Sequence, residues 1–377
     1  MKNTYLLFLF ILSINISELF QKKITTTLLS QEKVSSENCN DITLSPNSEN
    51  VKFIGRFYIK DKITWLVLSG SAIEFYLTGK SAEVILHGES NAIYFAEDQR
   101  ARYAIYIDDN KILDTTMGEL EKTIKLFENE EEKEIKVRII LLSEASHGAI
   151  GVKHINVNTC SSSEKVIRPS EYKKLRIEYI GDSITCAYGI ECKSTSEPFQ
   201  TTTQNFELSY AFLSAKELDA DYSGVCYSGS GVVGGGNQMP QHYTKTNAFS
   251  SYNEEWDFSK FPNDVVVINL GTNDSGYAAE SKHDEYIQEY TKFLGLIREK
   301  NPNAYIFCTL GMMGCEGLFP LIDKAISLFG DEKVFSFFLP NQNPEDGIGS
   351  QYHPNWVTHA KAAKIVAQKI REIIGIQ

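Results

Sequence analysis

The chain has 377 residues, is 42% hydrophobic and 23% charged, and carries a formal net charge of −12. That length exceeds one ordinary core and suits two domains of roughly 100–200 residues each, with the composition of a globular chain and not a disordered one. The acidic balance excludes an electrostatic nucleic-acid binder, which needs a basic face to displace counterions from phosphate.

At the N-terminus, Lys2 precedes an apolar run from Tyr5 to Ile14. The run is too short to span a bilayer, so residues 1–20 read as a signal peptide. A secreted protein with no membrane partner is the expectation. Residues 21–50 are polar and read as a linker or poorly ordered lead-in. From 51 to 160 short runs such as VKFIGRFYI, SAIEFYLTG, AEVILHGE, YAIYIDD and EIKVRIILL alternate or are β-branched, with turn signals between them. They predict an all-β domain of the β-sandwich kind. The acidic run ENEEEKE, 128–134, reads as a solvated turn.

Residues 161–173 read as a second linker. From 174 to 377 apolar strands alternate with amphipathic helices: LRIEYI, a helix near 206–219, VVVINL, a helix near 283–299, AYIFCTL, a helix near 317–329, VFSFF, and a last helix from about 355 to 374. This alternation predicts an α/β domain with a parallel sheet. Ligands in such sheets sit outside the carboxyl ends of the strands, so the segments after each strand are where chemistry is sought.

Seven cysteines are present, and in an oxidising compartment some would pair. Cys39 and Cys160 bracket the β domain and are candidates to staple its ends, although connectivity does not follow from sequence. The odd count leaves at least one thiol free or intermolecular. No spacing fits a zinc module, so no metal or cofactor is expected.

Four segments in the α/β half carry suitable atoms. GDSITCAYG (181–189) follows the first strand and offers Ser183 as an exposed nucleophile whose own N–H can face an oxyanion. YSGSGVVGGG (227–236) follows the second strand. Its glycines let backbone approach a substrate, and the Lys-Ser or Lys-Thr of a phosphate loop is missing. GTND (271–274) offers the Asn273 side chain as a donor. YHPN places His353 in a loop before the last helix, whereas His359 falls inside that helix and reads as structural. Each motif is weak alone. Ser, Gly, Asn and His in that order, each after a strand, is far more specific.

This combination resembles the SGNH (GDSL-like) hydrolases, with Ser183, Gly229, Asn273 and His353 at the four motif positions and Gly231 as the alternative to Gly229. More narrowly, FIGRFY, SGSAIEFYLTG, YAIYIDD and SHGAIGVKHI before the SGNH blocks resemble carbohydrate esterase family 2, acetyl esterases with an N-terminal jelly roll; the similarity covers roughly 51–375. The resemblance implies a flavodoxin-like catalytic domain and a serine esterase that removes O-acetyl groups from plant polysaccharides such as xylan, mannan or glucomannan. It implies chemistry without metal or cofactor on an acetylated polysaccharide as partner, and a monomer is expected. Ser183 and His353 would be catalytic, and the N–H groups of Ser183 and Gly229 with the Asn273 amide would form the oxyanion hole. Two departures stand out. Ala187 replaces a family glycine, and Gln351 stands where many SGNH enzymes have an Asp that orients the histidine. A Ser–His dyad is therefore expected, with His353 oriented by a backbone carbonyl or by Gln351, and Asp346 as a more distant substitute. Trp256 and Tyr277 are candidates for contact with a sugar ring, or else core aromatics. The alternatives are another SGNH esterase, lipase-like or peptidoglycan-directed, and a catalytically weak carbohydrate-binding protein.

Overall fold

The N-terminal half is built from ten strands: β1 (Asn40–Leu44), β2 (Lys52–Ile54), β3 (Phe57–Lys60), β4 (Ile63–Leu66), β5 (Ala72–Gly88), β6 (Arg102–Ile107), β7 (Asn110–Thr116), β8 (Glu121–Leu141), β9 (Ile150–Thr159) and β10 (Ile167–Pro169). The computed structural model describes residues 39–162, 166–249 and 253–376. The expected signal peptide lies outside the described residues, as does most of the lead-in. Among the described residues no helix is long and apolar enough to cross a membrane.

The ten strands form one antiparallel sheet along the path β3-β4-β9-β5-β8-β6-β7. The jelly-roll expectation is met by a curled sheet whose long central strands run through it. The two runs expected as separate strands, SAIEFYLTG and AEVILHGE, form the single 17-residue β5. Its register against β8 shifts between Gly79 and Ser81 and again between Ala82 and Glu83, and such irregularities bend a strand. A Cβ at Gly79 would meet Val157 Cγ1 at 2.7 Å, so glycine permits the close approach of β9 there. Phe75, Leu77, Val84 and Leu86 from both parts of β5 enter one core with Val137, Ile139, Val152 and Ile155.

Two expectations change here. The acidic run 128–134 is solvated, yet it lies inside the 21-residue β8 and not in a turn. Its Glu132 accepts from Thr159 Oγ1 at 2.5 Å and Ser161 Oγ at 2.9 Å, and Glu134 pairs with Arg168, so local partners hold an acidic stretch in strand form. The lead-in also gives way to structure before residue 51. Thr43 donates to Asn156 at 2.9 Å, and Thr64 donates to the carbonyl of buried Pro46 at 3.0 Å.

The second half runs β11 (Leu175–Gly181), α1 (Tyr210–Glu217), β12 (Ala220–Cys226), the two-residue pair β13 (Ser230–Gly231) and β14 (Asn237–Gln238), β15 (Val265–Asn269), α2 (His283–Lys300), β16 (Tyr305–Gly311), α3 (Phe319–Phe329), β17 (Val334–Leu339) and α4 (Trp356–Ile374). The main sheet is parallel with order β12-β11-β15-β16-β17. Counted within the domain this is 2-1-3-4-5, the flavodoxin-like arrangement, whose strand order reverses at β11 and β15 and opens a crevice at their carboxyl ends. Asn355 caps α4 by accepting from the N–H groups of Val357 and Thr358, one of the stronger N-cap arrangements. His359 is structural as expected. It is buried in α4, its Nδ1 accepts from Tyr210 N at 3.0 Å, and burial pushes its pKa down to about 3.

Buried charge joins the two halves. Lys52 of β2 pairs with Asp221 of β12 at 2.5 Å, both almost fully enclosed. Arg56 is 1% exposed and reaches Glu178 of β11 at 3.2 Å and the carbonyls of Tyr243 and Lys245 at 2.5 Å. Tyr243 donates to the other Glu178 oxygen at 2.8 Å. Removing one partner of such a pair leaves an uncompensated buried charge. Arg56→Met should therefore lower the unfolding free energy by about 3–5 kcal/mol in urea titration, and Glu178→Gln in the same chain should recover part of that loss. A change within ~0.5 kcal/mol, the range of an ordinary surface substitution, would show that this pair does not hold the halves together.

Candidate active site

Ser183 lies in the turn after β11, at the crevice. Glycine at 181 is required by space, because a Cβ would sit 2.0 Å from Thr185 Oγ1. The turn is braced by Asp182, whose Oδ1 accepts from Ile184 N at 2.9 Å and whose carbonyl accepts from Cys186 N at 3.0 Å. Burial raises the Asp182 carboxyl to about 7. Ala187, the departure from the family glycine, adopts φ 62°. That left-handed geometry explains why glycine is usual there and costs an alanine roughly 1–2 kcal/mol.

His353 reaches the same point from the loop between β17 and α4. Its Nε2 is 2.9 Å from Ser183 Oγ, and its Nδ1 is 3.1 Å from the Ser350 carbonyl. With the Nδ1 proton donated to that carbonyl, Nε2 is the acceptor for the serine hydroxyl. The backbone carbonyl thus takes the orienting position. The Gln351 side chain does not: its Oε1 accepts from Tyr188 OH at 3.1 Å. Asp346 is also elsewhere, paired with Lys361 at 2.6 Å. The loop is fastened by Ser350 Oγ donating to Glu197 O at 2.7 Å and Gln351 N donating to Thr195 O at 3.2 Å. Gln351 and Tyr352 sit consecutively at φ 49° and 66°, backbone strain of the kind that collects at functional sites. The Tyr188 ring lies 4.4 Å from the imidazole. Burial pushes the His353 pKa below its ordinary value, opposed by the Ser350 and Gln351 backbone carbonyls and by the charge of Glu144.

Gly229 has φ 79° and open space where a Cβ would point. Gly231 instead packs: a Cβ there would meet Gly234 O at 2.6 Å and Asp274 Oδ1 at 2.7 Å. Asp274 organises this loop by accepting from the N–H groups of Val232, Val233 and Gly234 at 2.6–2.9 Å. Among the described residues the N–H groups of Ser183 and Gly229 have no protein acceptor. Asn273 is brought to the same crevice, but its amide donates to Asp182 Oδ2 at 3.1 Å and to Ser230 O at 2.9 Å. Both of its N–H groups are engaged, so Asn273 braces the turn and must release one bond before it can serve an oxyanion.

The two aromatics singled out in the sequence differ in their surroundings. Trp256 is buried, edge-on to Phe57 of β3 at 5.7 Å and under Lys260 and Arg56. It packs as a core aromatic between the halves. Tyr277 is half-buried, its ring 6.3 Å from Tyr286 and covered by the Lys282 ammonium at 4.6 Å. The exposed aromatics beside His353 are Tyr352 and Trp356, 67% and 55% exposed. Sequence reading passed over them, although a Tyr immediately before the histidine and a Trp three residues after it were visible signals. Cys39 and Cys160 are disulfide-bonded, and the other five cysteines are free thiols.

Residues 179–361 match the GDSL-like lipase/acylhydrolase family model, and residues 53–163 match the carbohydrate esterase 2 N-terminal model. Over 88% of its length the chain is 29% identical to the cellulase/esterase CelE of Acetivibrio thermocellus, but it spans only 40% of that protein. It is 25% identical to an acetylxylan esterase / glucomannan deacetylase of Cellvibrio japonicus, covering 88% of this chain and 91% of the relative. A family two carbohydrate esterase from Clostridium thermocellum, solved in complex with cellohexaose, superposes with a TM-score of 0.74 at 27% identity, over 86% of this chain and 99% of that one. Both halves, in the same order, are therefore similar to the GDSL-like hydrolases of carbohydrate esterase family 2.

Proposed function

We propose that this chain is a secreted serine esterase that removes O-acetyl groups from plant cell-wall polysaccharides by acyl transfer. The observation that carries this reading is the 2.9 Å contact between Ser183 Oγ and His353 Nε2, together with the Ser183 and Gly229 N–H groups that have no protein acceptor among the described residues. A nucleophile within hydrogen-bond reach of an oriented base is the arrangement that acyl transfer needs. His353 takes the hydroxyl proton as Ser183 Oγ bonds to the acetyl carbon. The carbonyl oxygen becomes an oxyanion facing the N–H groups of Ser183 and Gly229. The imidazolium returns the proton to the leaving sugar oxygen, and water then releases acetate by the same steps in reverse. His353 is held by a carbonyl, so no third acid touches the dyad directly.

The polysaccharide class rests on the names of the relatives and on the exposed Tyr352 and Trp356 rings next to His353. Flat aromatic faces pair a large apolar area with little lost freedom, and they would hold a sugar ring so that its acetyl group meets Ser183. The signal-like N-terminal run supports secretion, where such polymers are found.

Acetate release from acetylated xylan and acetylated glucomannan by the wild type should fall about 10³-fold or more in Ser183→Ala, as loss of a dyad member does. Equal inactivity of both proteins, on these polymers and on an aryl acetate, would move the chain to a binding role. The half-buried His353 must be neutral to act, and its partial burial favours the neutral form. The acid limb of kcat/KM should thus fall below the ordinary histidine value near 6.5, with activity lost as pH drops through it; a limb above that value would contradict the burial found here. Trp356→Ala should raise KM for the polymer roughly tenfold while leaving aryl acetate turnover unchanged.

A further inference from the structure

Glu144 belongs to the β half, three residues beyond the end of β8, yet it is 3% exposed and its carboxylate lies in the crevice of the α/β half. Its Oε2 accepts from Ser228 N at 2.9 Å, and its Oε1 accepts from Ser228 Oγ at 2.6 Å and from Gln204 Nε2 at 3.4 Å. The Cys186 thiol is 3.8 Å from Oε2. Gln204 returns the contact by accepting from Glu144 N at 3.1 Å, and it also donates to the Cys186 carbonyl at 3.1 Å. Glu144 is therefore tied to the Ser183 turn on one side and to the Gly229 turn on the other.

Every donor to this carboxylate is neutral, and among the described residues no cation pairs with it. A buried charge without a cation is costly. The group whose positive charge Glu144 would face is His353, which takes up the serine proton during the reaction. The titratable groups around the imidazole are Glu144, the buried neutral His359 and the Tyr188 phenol. Those around Glu144 are the Cys186 thiol and the same phenol.

We propose that Glu144 is a positioning residue of the active site, holding Ser228 by its N–H and hydroxyl so that the following Gly229 N–H serves the oxyanion, and supplying the fixed negative charge toward His353 that this chain lacks at Gln351. The inference rests on the acyl-transfer reading above. It makes the β half a part of the catalytic centre, since the charge that stabilises the imidazolium is carried across from it. Its field raises the proton affinity of His353 against the effect of burial, so its removal weakens the base.

The test is the pH profile of kcat/KM on an aryl acetate for the full chain, wild type and Glu144→Gln, with Ser228→Ala and Ser183→Ala alongside. Glu144→Gln should lower kcat roughly tenfold or more and move the acid limb to lower pH. Ser228→Ala, which removes one bond and keeps the charge, should lower kcat with the limb in place. A Glu144→Gln limb at the wild-type pH overturns the electrostatic role, whatever happens to the rate. Should Glu144→Gln fail to fold, the Glu144 carboxyl ¹³C signal in the native protein decides. It should show a step as His353 titrates, and His353→Gln should abolish that step; a signal blind to His353 overturns the proposal. A wild type no more active than Ser183→Ala would instead sink the esterase reading itself.

Discussion

The buried guanidinium of Arg56 is the constraint on which the rest of this molecule hangs. It leaves the β half just after β2 and finds Glu178, in the first strand of the parallel sheet, together with two backbone carbonyls of the α/β half. A cation so deep has no affordable alternative to those partners. Lys52 and Asp221 repeat the arrangement nearby. Because both pairs cross from one half to the other, the relative placement of the halves is set by charge as well as by apolar packing, and charge pairs tolerate little displacement once desolvated.

That fixed placement matters for the site. Ser183, Gly229 and His353 all come from the α/β half, at the carboxyl ends of its strands where the strand order reverses. Each is held by short-range devices: the Asp182 side chain at the serine turn, the Asp274 carboxylate under the glycine loop, and the Ser350 carbonyl behind the imidazole. Three carboxyl groups, from Asp182, Asp274 and Glu144, surround the crevice, yet none replaces the missing acid at position 351 by direct contact with the histidine. The site uses backbone for orientation, and carboxylates to shape the loops that carry the backbone N–H groups.

Much of this was legible along the chain. The change from β runs to alternating strands and helices near residue 174 marked the two halves. The order of Ser183, Gly229, Asn273 and His353, each after a strand of the parallel sheet, marked the crevice. What was misread has a common cause. The acidic stretch at 128–134 looked like a turn because local composition cannot show that Thr159, Ser161 and Arg168 wait to satisfy it. Trp256 was left between a sugar contact and a core aromatic, because sequence proximity to GTND says nothing about Phe57 and Arg56 closing over it. Asn273 was found as a residue, but not as a group whose amide is already engaged.

By itself the sequence determined what depends on local pattern: strand and helix periods, the turns that need Gly181 and Gly229, the helix start at Asn355, and the set of side chains able to perform acyl transfer. These are properties of neighbouring residues, and neighbours are adjacent in the text. Tertiary structure alone decided which atoms meet. It selected the Ser350 carbonyl over Gln351 as the partner of His353, sent Trp256 into the core, and carried Glu144 of the β half to Ser228, 84 positions further along the chain. Those choices turn on burial and charge satisfaction across long sequence separations, where a buried polar group accepts whatever partner the packed fold brings within reach.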